Sequence, residues 1–161
     1  MIRLIRIDDR LLHGQVSFTW VPSLKINCIV IANNKVATDE FQKMALNIAK
    51  PPSAKLLIYT LKDAIAFLCD AKARNQEILV LVNSIADALS VAKEINEIKT
   101  INFGGIRMKT GAKLISKAIA IDDNDITFIK ELLERGLELE IRQVPGDKKT
   151  IIDSSVINIP Q

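Results

Sequence analysis

The chain holds one histidine, His13, and sets it in the run Ile5-Arg6-Ile7-Asp8-Asp9-Arg10-Leu11-Leu12-His13-Gly14-Gln15-Val16. A neutral imidazole is a nucleophile, and the groups around this one suit a phosphoryl group. Arg6 and Arg10 carry forks of N–H donors that fit phosphate oxygens. Asp8 or Asp9 is near enough in sequence to hold the ring in one tautomer or to place an arginine. Gly14 and Gln15 stand where a loop feeds a helix, whose unpaired first N–H groups attract an anion. Gly14 also lets the backbone come close to a ligand. Together these parts describe a histidine that accepts a phosphoryl group and gives it up again, with Arg10 and the loop amides neutralising charge on the group in transit.

Each residue also has a plainer structural reading. A lone histidine near a helix start is often a surface cap or a satisfied core residue. Asp8-Asp9 reads equally as a solvated strand-end turn. The Arg6 stem can lie along a sheet edge. Phe18 and Trp20 fall on a helix and read as core. Thr60 reads first as a helix cap. Gly104-Gly105, followed by Arg107, Lys109 and Lys113, is a second loop able to face an anion, although basic loop residues are usually just solvated.

The elements that must carry this loop follow from apolar periodicity, which switches repeatedly between strand and helix. Met1–Asp8 reads as a strand and Gly14–Leu24 as a short helix. Strands are also expected over 27–33, 55–60, 77–83, 100–104, 117–121 and 137–143. Helices are expected over 38–50, ended by Pro51-Pro52, over 60–73 with a reciprocal Thr60/Asp63 cap, over 84–97 with Ser84 as N-cap, and over 122–135, opened by Asp122-x-x-Asp125 and stopped by Gly136. The tail after Pro145-Gly146-Asp147 reads only as strand or coil. Strand–helix alternation with near-continuous apolar strands predicts an α/β fold: an open, mostly parallel twisted sheet of about seven strands with helices on both faces. In such sheets ligands bind at the carboxyl ends of strands, where the His13 loop leaves the first strand.

A length of 161 residues suits a single domain over 1–161, and 48% hydrophobic residues suffice for its core. The net charge of +3 is too mild for a nucleic-acid-binding tail. One histidine and two distant cysteines, Cys28 and Cys69, lack zinc-ligand spacing, so no metal is expected. Both thiols read as buried or half-buried in a reducing compartment. The charged strand pattern of Met1–Asp9 is unlike a signal peptide, and no run is long enough to span a membrane, so a cytoplasmic location is expected.

The run 5–16 closely resembles the active-site loop of the enzyme IIB subunits of the bacterial phosphoenolpyruvate:sugar phosphotransferase system, in the mannose/fructose/sorbose family. Trp20, the segment 37–56 with its Pro-Pro turn, and the segments 101–122 and 132–148 resemble the family as well, so the likeness covers essentially 1–150. The resemblance implies a protein-N(pi)-phosphohistidine–sugar phosphotransferase component. His13 would take a phosphoryl group on Nδ1 from a phosphorylated IIA domain or subunit and pass it to a sugar held by the membrane subunits IIC and IID. Arg10 would contact the phosphoryl group, and the loop from Arg6 to Gln15, with Asp8, Asp9 and Gly14, would hold it. Thr60, Gly104 and Gly105 would lie on neighbouring loops. No cofactor is implied, and the subunit would sit peripherally on the inner face of the membrane. Asn33-Asn34 and Pro22 depart from what the family leads one to expect. A receiver-like module is disfavoured because strands three and five end in Tyr59-Thr60 and Phe103-Gly104, without the acid and lysine it needs. A histidine phosphatase would want a second histidine. A non-catalytic or regulatory relative that binds sugar phosphate or a partner protein is the remaining alternative.

Overall fold

The chain is described here by a computed structural model over residues 1–158; the last three residues of the expected domain lie outside the described part. Strand β1 (Ile2–Asp8) is buried from Leu4 to Asp8 because it runs through the middle of the sheet. The other main strands are β2 (Cys28–Ala32), β3 (Lys55–Tyr59), β4 (Ile78–Val82), β5 (Thr100–Gly105), β8 (Glu138–Ile141) and β9 (Thr150–Ile151). Their order is β3-β2-β4-β1-β5-β8-β9, a sheet of seven strands in which β9 alone runs antiparallel. β1 passes the chain toward β2 on one side, whereas β5 passes it toward β8 on the other. The two connections diverge at the carboxyl ends of β1 and β5, and that divergence opens the crevice an α/β sheet uses for ligands.

Helices cover both faces because alternate strand residues are apolar on each. α1 (residues 14–23) and α2 (Glu40–Ala49) pack with Leu4, Ile29, Ile31, Leu79 and Leu81. α3 (Leu61–Cys69), α4 (Ile85–Glu94) and α5 (Asp123–Glu134) pack with Ile5, Ile7, Val30, Val80 and Phe103. The expected caps form at Thr60, Ser84 and Asp122, each side chain accepting the N–H three residues on. At Thr60 only that half of the expected pair is seen, whereas Asp122 and Asp125 make both.

Several expectations need correction. The stretch 117–121 meets the main sheet only through one parallel bridge, Ile119 to Ile106 just past β5. Only Ala120–Ile121 (β7) is extended, and it pairs antiparallel with Lys113–Leu114 (β6) in a separate hairpin. Ser116 and Lys117 interrupt its apolar run too early for a core strand. The seventh place goes to β9, from the tail, which continues into the short helix α6 (Ser154–Ile157). Helix α2 starts at Glu40, two residues later than expected, and is capped by Asp39, whose carboxylate accepts from both the backbone and the side-chain amide of Gln42. α3 ends at Cys69, and Asp70 restarts a 3-10 turn over Ala71–Asn75. Cys69 is exposed, not half-buried, while Cys28 is buried.

Pro22 has a direct structural effect. Proline inside an α-helix lacks an N–H and crowds the carbonyl four residues back. Here the turn before it, Val16–Trp20, is π-helical, and the Val21 N–H reaches the Val16 carbonyl. That wider turn relieves the crowding and lets α1 run on to Ser23. It also puts Trp20 in the core and leaves Phe18, expected to be core, 82% exposed.

Candidate active site

The loop leaving β1 is tightly wound. The Leu11 N–H donates to the Asp8 carbonyl at 2.8 Å, and Leu11 takes a left-handed conformation with φ 57. A branched residue there costs about 1 kcal/mol, offset by burying its side chain in the core beneath α1 and α2. Asp9 ties the loop to the end of β5. Its N–H donates to the Gly105 carbonyl at 2.9 Å, and its carboxylate accepts from the Arg107 N–H at 2.8 Å and from Arg107 Nε at 2.9 Å.

Asp8 lies at the centre of the site. Its side chain is wholly buried. Oδ2 receives His13 Nε2 at 2.8 Å, Arg6 Nη2 at 3.1 Å and Arg6 Nε at 3.3 Å, while Oδ1 receives the Arg10 N–H at 3.0 Å. Burial pushes the Asp8 carboxyl upward. The His13 hydrogen bond, the Arg10 N–H and the Arg6 charge outweigh it and hold the group below the ordinary carboxylate range. An ionised Asp8 accepts only, so the neutral His13 ring carries its proton on Nε2 and its lone pair on Nδ1. The bulk of the ring is enclosed, with 16% of the side chain exposed. The arrangement therefore supplies an oriented nucleophilic nitrogen at the mouth of a loop.

Lowering of the Asp8 pKa makes a prediction for stability. A carboxyl with a depressed folded-state pKa adds stability at pH values above its unfolded pKa, about 3.9. That contribution is lost as pH falls through the folded value. The melting temperature should be insensitive to this group near neutrality and fall in acid below about pH 4, and Asp8→Asn should lose this part of the acid limb. Thermal unfolding followed by circular dichroism across the acid range measures it.

Arg6 is not a phosphate ligand in this arrangement. It belongs to β1, its side chain is wholly buried, and its donors are taken by Asp8, by Asn102 Oδ1 at 2.7 Å and by the Arg142 carbonyl at 3.1 Å. Burial lowers its pKa and the Asp8 charge opposes the shift. Gly104 makes room for it. A Cβ there would sit 2.1 Å from Arg6 Cζ. Gly104→Ala should therefore push the guanidinium out of place and destabilise the fold by about 1–3 kcal/mol, a drop in melting temperature of several degrees by calorimetry. Gly105 only borders Asp8, its virtual Cβ 3.4 Å from Oδ1.

The other anticipated residues divide. Arg10 stands over the loop with its side chain 57% exposed and Nε 3.8 Å from Asp8 Oδ1, free to reach an incoming group. Gln15 is exposed in the first turn of α1. Gly14 has a negative φ and only Phe18 within 4 Å of a virtual Cβ, so nothing in the fold demands glycine there. Thr60 caps α3 at the end of the edge strand β3, three strands from β1, about 14 Å along the sheet. Of the basic residues beyond Gly105, Arg107 pairs with Asp9, and Lys109 binds Asp122 and Asp125 at the start of α5. Sequence reasoning missed Asn102, Glu140 and Arg142, which extend the polar contacts across β5 and β8, and it missed that Trp20 stacks on Arg6 and Arg142. Their signal was present: polar residues at alternate positions within strands expected to be buried.

The model of the family described as PTS system sorbose subfamily IIB component matches residues 2–158. The sorbose-specific EIIB component of Klebsiella pneumoniae is 34% identical over 91% of this chain and 89% of its own. The mannose-specific EIIAB component of Escherichia coli K12 is 30% identical over 92% of this chain, which spans 46% of that longer protein. The crystal structure of the IIBSor domain of the sorbose permease from Klebsiella pneumoniae superposes with a TM-score of 0.88 at 33% identity, covering 93% of this chain and 92% of that one. Among the described residues, no helix is long and apolar enough to cross a membrane.

Proposed function

Because the chain belongs to the sorbose-subfamily IIB components of the sugar phosphotransferase system, we propose that His13 is its phosphoryl carrier, loaded on Nδ1 by a phosphorylated IIA component and unloaded onto a sugar held by IIC and IID membrane subunits. The observation that carries this reading is the 2.8 Å bond between His13 Nε2 and buried Asp8. It leaves the Nδ1 lone pair as the ring's nucleophile. In loading, that lone pair forms the N–P bond as the donor's bond to phosphorus breaks and its electrons return to the donor. In unloading, a sugar hydroxyl oxygen takes the phosphorus, the N–P electrons return to Nδ1, and the hydroxyl proton leaves to water. The Nε2 proton stays on its bond to Asp8 throughout, so the ring need not turn over between the two steps.

Arg10 neutralises charge on the phosphoryl group as it moves. Its exposed, weakly held side chain suits a group that must be released again, since a buried fork would trap the intermediate. Arg10→Ala should slow transfer by about 10–100-fold and leave the Kd for the IIA component nearly unchanged. Rapid-quench transfer kinetics beside calorimetric titration separate the two effects.

The deciding experiment incubates the purified chain with phosphoenolpyruvate, the general phosphotransfer proteins and a mannose-family IIA component, followed by intact mass spectrometry. A single acid-labile, alkali-stable phosphoryl adduct supports the reading. No adduct from several competent donors, or an acid-stable one, overturns it. The subunit acts at the inner face of the membrane by binding the transporter's membrane subunits.

A further inference from the structure

One row of side chains reaches past the loop. In the parallel register, Arg6 on β1 faces Asn102 on β5, and Asn102 faces Glu140 on β8. All three are buried on the face that α1 covers, in a sheet otherwise filled with Ile, Leu and Val. We propose that Asn102 and Glu140 are positioning residues for His13, acting through the Arg6–Asp8 pair. This rests on His13 being the phosphoryl carrier.

The hydrogen bonds allow each member one orientation. Asn102 Nδ2 meets two acceptors at 3.2 Å, Glu140 Oε1 and the Arg142 carbonyl. The Asn102 amide therefore turns its oxygen to Arg6 Nη1 at 2.7 Å. A flipped amide would set N–H against N–H on the Arg6 side and oxygen against oxygen on the Glu140 side. Glu140 is fixed in turn by Arg142 Nη2 at 3.2 Å. With Nη1 held, the Nε and Nη2 edge of the guanidinium is aimed at Asp8 Oδ2, the oxygen that receives His13. Trp20 closes the row from above, 5.7 Å from the Arg6 guanidinium and 5.0 Å from that of Arg142, and its indole N–H donates to the Gln143 carbonyl at 2.9 Å.

Stability alone is a poor reason for this row. Buried charges recover their desolvation cost only with full pairing, and apolar replacements of similar size often match or exceed them. What the row supplies is direction. An arginine held at one end by a fixed amide cannot swing away from Asp8, and Asp8 cannot then turn away from the ring. Outer partners that orient metal-bound histidines change activity by about 10–100-fold when removed, and an effect on that scale is expected here.

The test reads the ring itself. In 15N spectra of the unphosphorylated full chain at neutral pH, His13 should show the Nε2–H tautomer. Asn102→Leu, which keeps the branched shape but removes all three side-chain hydrogen bonds, should populate the Nδ1–H form. It should also lower the transfer rate from a phosphorylated IIA component about 10-fold, with KM within about twofold, since the docking surface is untouched. Glu140→Gln, a milder change, should move the tautomer balance the same way and decides the matter if Asn102→Leu fails to fold. A wild-type tautomer in the folded variants overturns the proposal, even with a slower rate, because the row would then be structural only. Failure of the wild-type chain to take up a phosphoryl group would refute the carrier reading instead, and the tautomer measurement would still decide the positioning role.

Discussion

His13→Ala should take up no phosphoryl group from a phosphorylated IIA component and should remain folded. The loss is complete because the chain has no second histidine to substitute. The fold should survive because His13 lies in a loop, and the hydrogen bond its side chain makes ends on an oxygen that Arg6 also serves. Removing a hydrogen bond to a charged acceptor costs about 1.5–3 kcal/mol, and water entering the open loop recovers part of it. The melting temperature should fall by roughly 3–8 °C, and far-ultraviolet circular dichroism should be unchanged. Retained labelling in His13→Ala, seen by mass spectrometry, would place the carrier site elsewhere.

Asp8→Asn should be the most damaging conservative substitution in the molecule. Every neighbour of the Asp8 carboxylate is a donor: the Arg10 N–H on Oδ1, and Arg6 and His13 on Oδ2. An amide cannot satisfy that surrounding in either orientation. With its NH2 group toward Oδ1's partner it opposes the Arg10 N–H and disturbs the wound loop. With its NH2 group toward Oδ2's partners it opposes Arg6 and offers a donor to His13 Nε2. The imidazole then accepts on Nε2, carries its proton on Nδ1, and loses its nucleophile. By comparison with an Asn replacing the orienting carboxylate of a catalytic triad, where the wrong tautomer costs about 10⁴, a loss of about 10²–10⁴ in transfer rate is expected. Arg6 is left buried without its counter-charge, which costs about 3–5 kcal/mol. Single-turnover transfer, measured at a temperature where Trp20 fluorescence shows the variant folded, checks this. A rate within tenfold of the parent would remove Asp8 from the mechanism.

The site was legible in the sequence where its parts are local. His13, Arg10, Asp8 and Asp9 sit within six residues, in a loop where polar residues must find nearby partners or water, and the loop's place at a strand end follows from the α/β pattern. Arg6 was misread as a phosphate ligand because its burial depends on strands that lie far along the chain. Nothing near residue 6 announces Asn102 or Glu140, and only the strand register brings them together. Gly104 shows the same limit. It looked like a loop glycine, whereas its role is to leave space for a side chain nearly a hundred residues earlier. The hairpin of β6 and β7 and the added strand β9 escaped for another reason. Two-residue strands carry too little periodicity to distinguish a strand from a turn. The alternating helices and strands were readable because each is long enough to repeat its apolar pattern several times.

Strand order has a consequence for how the molecule comes into being. β1 leaves the ribosome before the strands it pairs with, β4 and β5, and the polar row beside it ends at Glu140 on β8. Long stretches of chain must be made before β1 can pair, and contacts so distant in sequence form slowly. Until then Arg6 and Asp8 have no dry interior to occupy, and His13 hangs from an unpaired segment without a fixed ring orientation. A nascent or truncated chain carries the histidine but not its alignment. On the proposed carrier role, phosphoryl acceptance should therefore require the completed sheet.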